Sequence, residues 1–140
     1  MSEPLKSVYR FERVLGQGGF GKVFLAQEEL SKRQVAIKQL NNQDDKQQKA
    51  IIHEIRMVAQ FYHPSIVTYH HHYIENGLLF LVMEYCSGGS LRDRIRRKSM
   101  PATDVVRIVT GLAEALDVVH KAGVVHHDIK PDNILFTERG

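Results

Sequence analysis

Six residues constrain this chain more than any others: Gly16-Gln17-Gly18-Gly19-Phe20-Gly21, followed without a break by Lys22-Val23-Phe24-Leu25-Ala26. Glycine has no Cβ, so a cluster of glycines lets backbone N–H groups approach an anion closely. The same G-x-G-x-x-G spacing occurs in the dinucleotide-binding fold, where a helix must start directly after the third glycine. Here a β-prone run follows instead. The glycines therefore close a hairpin between two strands, and the dinucleotide reading loses most of its weight. Taken alone, the six residues also fit a plain glycine turn.

The rest of the chain extends that hairpin. Runs 9–15, 22–27 and 34–40 read as consecutive antiparallel strands. Residues 45–61 change to helical period, with Ile51, Ile55 and Val58 on one face. Runs 66–73 and 78–85 are two strands joined at Glu75-Asn76-Gly77, where Asn-Gly adopts positive φ at little cost. Ser87-Gly88-Gly89-Ser90 is a linker whose Ser90 caps a short helix, and a longer helix over 103–121 ends at Gly123. On that helix Val105, Ile108, Val109, Leu112, Leu116 and Val119 form one stripe, widened by Val106 and Val118. The predicted fold class is α+β: a small antiparallel β-lobe with one helix over 1–86, then a helical part over 87–140.

Two further segments carry chemistry. In Val35-Ala36-Ile37-Lys38 strand alternation points Ala36 and Lys38 to one face and Val35 and Ile37 to the other. A small residue beside a lysine leaves room for a flat base and brings a charge to its phosphates, although an ordinary edge-strand lysine has the same local sequence. Glu54 lies on the apolar side of helix 45–61. A carboxylate facing a core needs a partner, and Lys38 is the obvious one; a solvated position at the rim of the stripe is the alternative. The most specific segment is His126-His127-Asp128-Ile129-Lys130-Pro131-Asp132-Asn133, which places a base, a cation and an amide metal ligand in one short loop.

The glycine loop, the V-A-I-K strand and the H-x-D-x-K-x-x-N loop occur in the order of the protein-kinase signature set, with His63-Pro64 and Met83-Glu84-Tyr85-Cys86 between them. The chain thus resembles eukaryotic-type (Hanks-type) serine/threonine protein kinases from about Tyr9 to Phe136. The resemblance implies a protein-kinase-like fold that binds ATP with Mg2+ and phosphorylates protein substrates. It implies that Gly16, Gly18, Gly19 and Gly21 cover the phosphates, and that Lys38 contacts them while paired with Glu54. Leu15, Val23, Ala36 and Leu135 would sandwich the adenine. Met83 would stand at the rear of the pocket, and the backbones of Glu84 and Cys86 would hydrogen-bond the base. Asp128 would accept the substrate hydroxyl proton, Lys130 would steady the transferring phosphate, and Asn133 would bind one magnesium ion.

Two departures from the family matter. His127 stands where most members have an arginine that receives an activation-segment phosphate, and a largely neutral imidazole offers no bidentate fork. If a longer form is active, its activity is then expected not to depend on that phosphate through residue 127. The family's D-F-G motif is expected shortly after Gly140 and is not in the sequence. The expectation is therefore a fragment of a catalytic domain, inactive by itself, with further domains C-terminal to residue 140. The rival is a truncated or inactive kinase acting as a nucleotide- or protein-binding module.

Composition narrows the setting. The chain is 43% hydrophobic and 25% charged with a formal charge of +3, and no basic run has the length of a nucleic-acid-binding tail. The stretch Arg92 to Lys98 reads as a solvated helix face, with contact to phosphate or an acidic substrate as the minority reading. The single cysteine, Cys86, excludes an internal disulfide and suits a reducing compartment. No apolar run reaches membrane-spanning length, and the expected location is cytoplasmic. His70, His71 and His72 are consecutive on a strand, so their side chains are expected to alternate between faces and not converge on a metal.

Overall fold

Period-two alternation of apolar residues builds five strands, and period 3.6 builds the helices around them. A computed structural model describes residues 4–19, 21–41, 43–60, 63–97, 100–121, 123 and 136. In chain order the elements are α1 (Leu5–Val8), β1 (Tyr9–Gly18), β2 (Gly21–Glu28), β3 (Gln34–Leu40), α2 (Asp45–Ala59), β4 (Tyr69–Glu75), β5 (Leu78–Glu84), α3 (Leu91–Arg97) and α4 (Ala102–Lys121). The strands form one antiparallel sheet in the order β1-β2-β3-β5-β4.

The sheet has two working faces. On one, Val35 and Ile37 of β3, Val82 of β5 and Ala26 of β2 close a core with Leu5 and Tyr9 from the start of the chain. On the other, Leu40, Leu79 and Leu81 receive Ile51, Ile52 and Ile55 of α2, together with Tyr69 and Met83. Fully burying a Leu or Ile side chain contributes roughly 1.5–3 kcal/mol, and the three half-buried isoleucines together gain enough of it to hold α2 more than its own propensity does. The first turn of α2 is closed reciprocally: the Asp44 N–H donates to Gln47 Oε1 at 2.9 Å, and the Gln47 N–H donates to Asp44 Oδ1 at 2.7 Å.

Local chemistry sets the turns. Asn76 (φ 53°) and Gly77 (φ 77°) both take positive φ, as a two-residue hairpin turn requires. Ser90 caps α3, its hydroxyl accepting the Asp93 N–H at 3.2 Å while the Asp93 carboxylate accepts the Ser90 N–H at 3.0 Å. Hydrogen bonds to the Asp93 carboxylate from the Ser90 N–H and hydroxyl hold it below its ordinary pKa, helped by the charges of Arg97 and Arg96. After α4, Gly123 turns at φ 84° and its N–H donates to the His120 carbonyl at 2.9 Å.

Three expectations need correction. Residues 66–68 precede β4, which starts at Tyr69. Strict alternation fails in the histidine run: Tyr69 pairs with Met83 and His71 with the adjacent Val82, so His70 is the extra residue of a β-bulge. On α4, Val119 of the stripe is buried, and so is Ala115, which lies outside the stripe as read, but Val105 and Val109 are exposed along with Val106.

The chain divides into two compact units, Met1–Arg56 with Val67–Tyr85, and Met57–Ile66 with Cys86–Gly140. The first unit holds both sheet cores. In the second, the buried apolar residues among those described are Ala115, Val119 and Phe136. Phe136 is tied to the glycine linker by two backbone bonds, Gly88 N–H to its carbonyl at 2.7 Å and its own N–H to the Gly89 carbonyl at 2.9 Å. Arg94 of α3 stacks over the Phe136 ring at 3.5 Å.

Candidate functional site

Strand register decides which side chains meet. Val23 lies opposite Lys38 and Leu25 opposite Ala36 across β2–β3, while Ala36 lies opposite Met83 and Lys38 opposite Leu81 across β3–β5. Directly opposed residues share a face. Val23, Ala36, Lys38 and Met83 are therefore on one face, the face that carries α2, and Val35 and Ile37 are on the other. Ala36 is buried, and Val23, Lys38 and Met83 are half-buried. This is an apolar surface with a lysine at one end.

The β1–β2 hairpin forms the outer edge of that surface. Gly16 pairs with Val23, and Gly18 pairs with Gly21 across the turn. Between Val14 and Gly16 the register shifts, so Leu15 is the bulged residue, half-buried. The glycines have different physical reasons to be glycine. A Cβ at Gly16 or Gly19 would meet nothing within 4 Å, so their backbone faces open space that a ligand could enter. At Gly21 the backbone has φ +134°, and a Cβ would fall 1.9 Å from the Gln39 carbonyl oxygen. Gly21 is a packing requirement; Gly16 and Gly19 leave room for close approach. An open glycine edge beside an alanine–lysine face suits a flat base with a polyanionic tail, and ATP is such a group.

Glu54 departs from its expected place. It is exposed on α2 instead of facing the core, because α2 turns Ile51, Ile52 and Ile55 into the sheet. The burial cost that argued for a partner is therefore absent. Its charge still reaches Tyr69, whose hydroxyl pKa is raised first by burial and then by Glu54. Glu54 is thus at the rim of the stripe. Glu84 ends β5 half-buried, its N–H donating to the Thr68 carbonyl at 2.9 Å and its carboxylate accepting the Thr68 N–H at 2.9 Å. Cys86 is half-buried and belongs to the second unit. Asp128, Lys130, Asn133 and Leu135, like His127, lie outside the described residues.

The sequence matches the family model of the protein kinase domain over residues 9–140. This chain belongs to the protein kinase family. The five-stranded sheet with α2 is the small lobe of the protein kinase fold. The chain is 36% identical over 135 residues to serine/threonine-protein kinase PAK 1 of Mus musculus. It is also 36% identical over 135 residues to serine/threonine-protein kinase MST20 of Pyricularia oryzae, and 38% identical over 138 residues to serine/threonine-protein kinase STE20 of Yarrowia lipolytica. These alignments cover 96%, 96% and 99% of the chain but only 25%, 15% and 12% of the relatives. The chain therefore spans a quarter or less of the length of the curated relatives it matches.

Other residues of the chain were not legible as part of this region. Asn41, just past β3, donates from its side-chain amide to the Gly19 carbonyl at 2.6 Å. Gln48 of α2 is 5% exposed and donates to the Gly77 carbonyl at 2.9 Å, fixing α2 to the β4–β5 turn. Only a helical face and a turn could have signalled Gln48, and nothing in the local pattern marks Asn41. Among the described residues no group of three or more His, Cys, Asp or Glu is placed to hold a metal, and no helix is long and apolar enough to cross a membrane.

Proposed function

We propose that this kinase segment binds ATP on the Val23–Ala36–Lys38–Met83 face and belongs to an enzyme that phosphorylates serine or threonine in protein substrates. The observation that carries the reading is the convergence of those four residues on one face beside an open glycine edge. Residues 1–86 are the ATP-binding lobe, and 87–140 are the hinge and the start of the catalytic lobe. Backbone N–H groups of Gly16, Gly18, Gly19 and Gly21 cover the phosphates. Lys38 neutralises them, with Glu54 available as its partner from the rim of α2. Leu15, Val23, Ala36 and Leu135 hold the base, Met83 stands behind it, and the backbones of Glu84 and Cys86 orient its edge.

ATP with Mg2+ supplies the transferable phosphoryl group when bound. Asp128 takes the proton of the attacking hydroxyl, Lys130 offsets charge on the transferring group, and Asn133 holds magnesium. The serine/threonine preference is supported by Lys130, which resembles that class, and by the names of the three relatives. A cytoplasmic location and the absence of a nucleic-acid partner belong to the same reading.

Incubating the full-length protein with labelled Mg-ATP and a generic basic protein tests it. Label is expected on serine or threonine, and Asp128→Asn is expected to lower the rate by about 10²-fold or more. Turnover retained in that variant overturns the base assignment. ATP binding that is indifferent to magnesium, with no transfer, supports a nucleotide-binding module instead.

A further inference from the structure

Gly18, Gly19 and Gly21, at the tip of the β1–β2 hairpin, have no side chains with which to hold it. Gly18 and Gly21 face each other across the turn, and Gly19 is exposed. Among the described residues two contacts anchor the backbone of these glycines at the same place, the end of β3. The first is steric: Gly21 is pressed so closely on Gln39 and Asn41 that a Cβ would lie 1.9 Å from the Gln39 carbonyl oxygen and 3.1 Å from the Asn41 backbone nitrogen. The second is the 2.6 Å hydrogen bond from Asn41 Nδ2 to the Gly19 carbonyl. A carbonyl can only accept, so the Asn41 amide nitrogen is the atom that faces it. β3 is also the strand that carries Lys38, three residues before Asn41.

We propose that Asn41 is a positioning residue for the nucleotide phosphates, a role that rests on the ATP-binding reading. Its amide does two things at Gly19. It engages a carbonyl whose negative end would repel a phosphate if it turned toward one, and the planar peptide then fixes the orientation of the whole group. It also holds the glycine turn in place before the ligand arrives, so less conformational freedom is lost on binding. Both effects act on the phosphate tail and not on the base. Asn41 is exposed and contributes no side chain to either sheet core.

The test compares Mg-ATP with adenosine, measured by calorimetry on the full-length wild type, Asn41→Ala and Asn41→Asp. One hydrogen bond of this kind changes an equilibrium by about 3–10-fold. Asn41→Ala is expected to weaken Mg-ATP binding by that factor and to leave adenosine within about twofold. Asn41→Asp, the same size without a donor, must weaken Mg-ATP at least as much as alanine does. Equal weakening of both ligands, unchanged Mg-ATP affinity in Asn41→Ala, or wild-type affinity in Asn41→Asp overturns the proposal. A wild type that binds neither ligand overturns the ATP-binding reading itself, and that result is distinct because it is seen before any substitution is made.

Discussion

Gly16 and Gly21 stand in one glycine-rich segment and carry opposite constraints. At Gly21 the backbone is at φ +134° and a Cβ would meet the Gln39 backbone, which cannot swing aside like a side chain. Gly21→Ala is therefore expected to destabilise the protein by about 1–3 kcal/mol in urea unfolding. Gly16→Ala meets nothing within 4 Å and needs no positive φ, so its unfolding midpoint should match or slightly exceed the wild type. Equal losses in the two variants would refute the distinction. Tyr9 poses a different problem. It is 1% exposed, and its hydroxyl is buried with no well-formed hydrogen bond among the described residues. Burial, with the Tyr73 hydroxyl nearby, pushes its pKa up to about 12 from 10.0. Since the folded pKa is the higher one, the associated stability is complete below pH 10 and is lost as pH rises toward 12. Tyr9→Phe should flatten that alkaline loss, and it should keep or raise stability at pH 7 because an unsatisfied hydroxyl is removed. Urea midpoints across pH 7–11 check both halves.

At the scale of elements, the alternation in Val35-Ala36-Ile37-Lys38 was enough to place Ala36 and Lys38 on one face, and the register bears it out. Asn76-Gly77 and Ser90 were legible because each acts within a few residues of itself. Features that depend on two distant segments were not. A bulge belongs to a pair of strands, so the extra residue at His70 is invisible in β4 alone. The four-residue α1 is too short to show a period, yet it brings Leu5 into the core, where Glu75 of β4 accepts the Leu5 N–H at 2.5 Å. Glu54 was misplaced for a related reason: Ile52 widens the buried stripe of α2 and turns the helix by a fraction of a turn. The segment His126 to Asn133 was read as a catalytic loop from residue types alone, and it lies outside the described residues. One long-range contact supplies a prediction. Gln48→Ala removes the bond between α2 and the Gly77 carbonyl and is expected to cost about 1–2 kcal/mol. Exposed Lys49→Ala, one position along the same helix, should stay within about 0.5 kcal/mol. Equal effects would show that the α2–turn bond does not hold the helix.

Among the described residues burial is distributed unevenly between the two units. Both hydrophobic clusters lie in the unit formed by the sheet and most of α2. In the other unit α4 buries Ala115 and Val119 while Val105, Val106 and Val109 are 45%, 63% and 57% exposed. Opening free energy follows local burial, so the two units should not resist exchange equally. Amides of β3 and β5, which pair on both sides inside the sheet, are expected to exchange slowest. Those of α3 and of the first turns of α4 should exchange first, by local opening that leaves the sheet intact. Native-state hydrogen exchange resolved by peptide reads this directly, and α4 amides that outlast those of β3 would refute it. Acid adds a second handle on the sheet unit. His70 is held below its usual pKa by burial and by Arg33 and His71, against the opposing charges of Glu84 and Glu28, and His72 by burial, Arg56 and His71. With folded values below the unfolded one, their contribution is present above about pH 6.5 and declines as the pH falls further. Exchange from β4 and β5 should therefore accelerate, relative to α4, between pH 7 and pH 5 after correction for intrinsic rates, and His70→Asn with His72→Asn should remove that difference. The comparison is internal to one sample, so a general acid destabilisation that moves both units together would not be mistaken for the titration of two histidines.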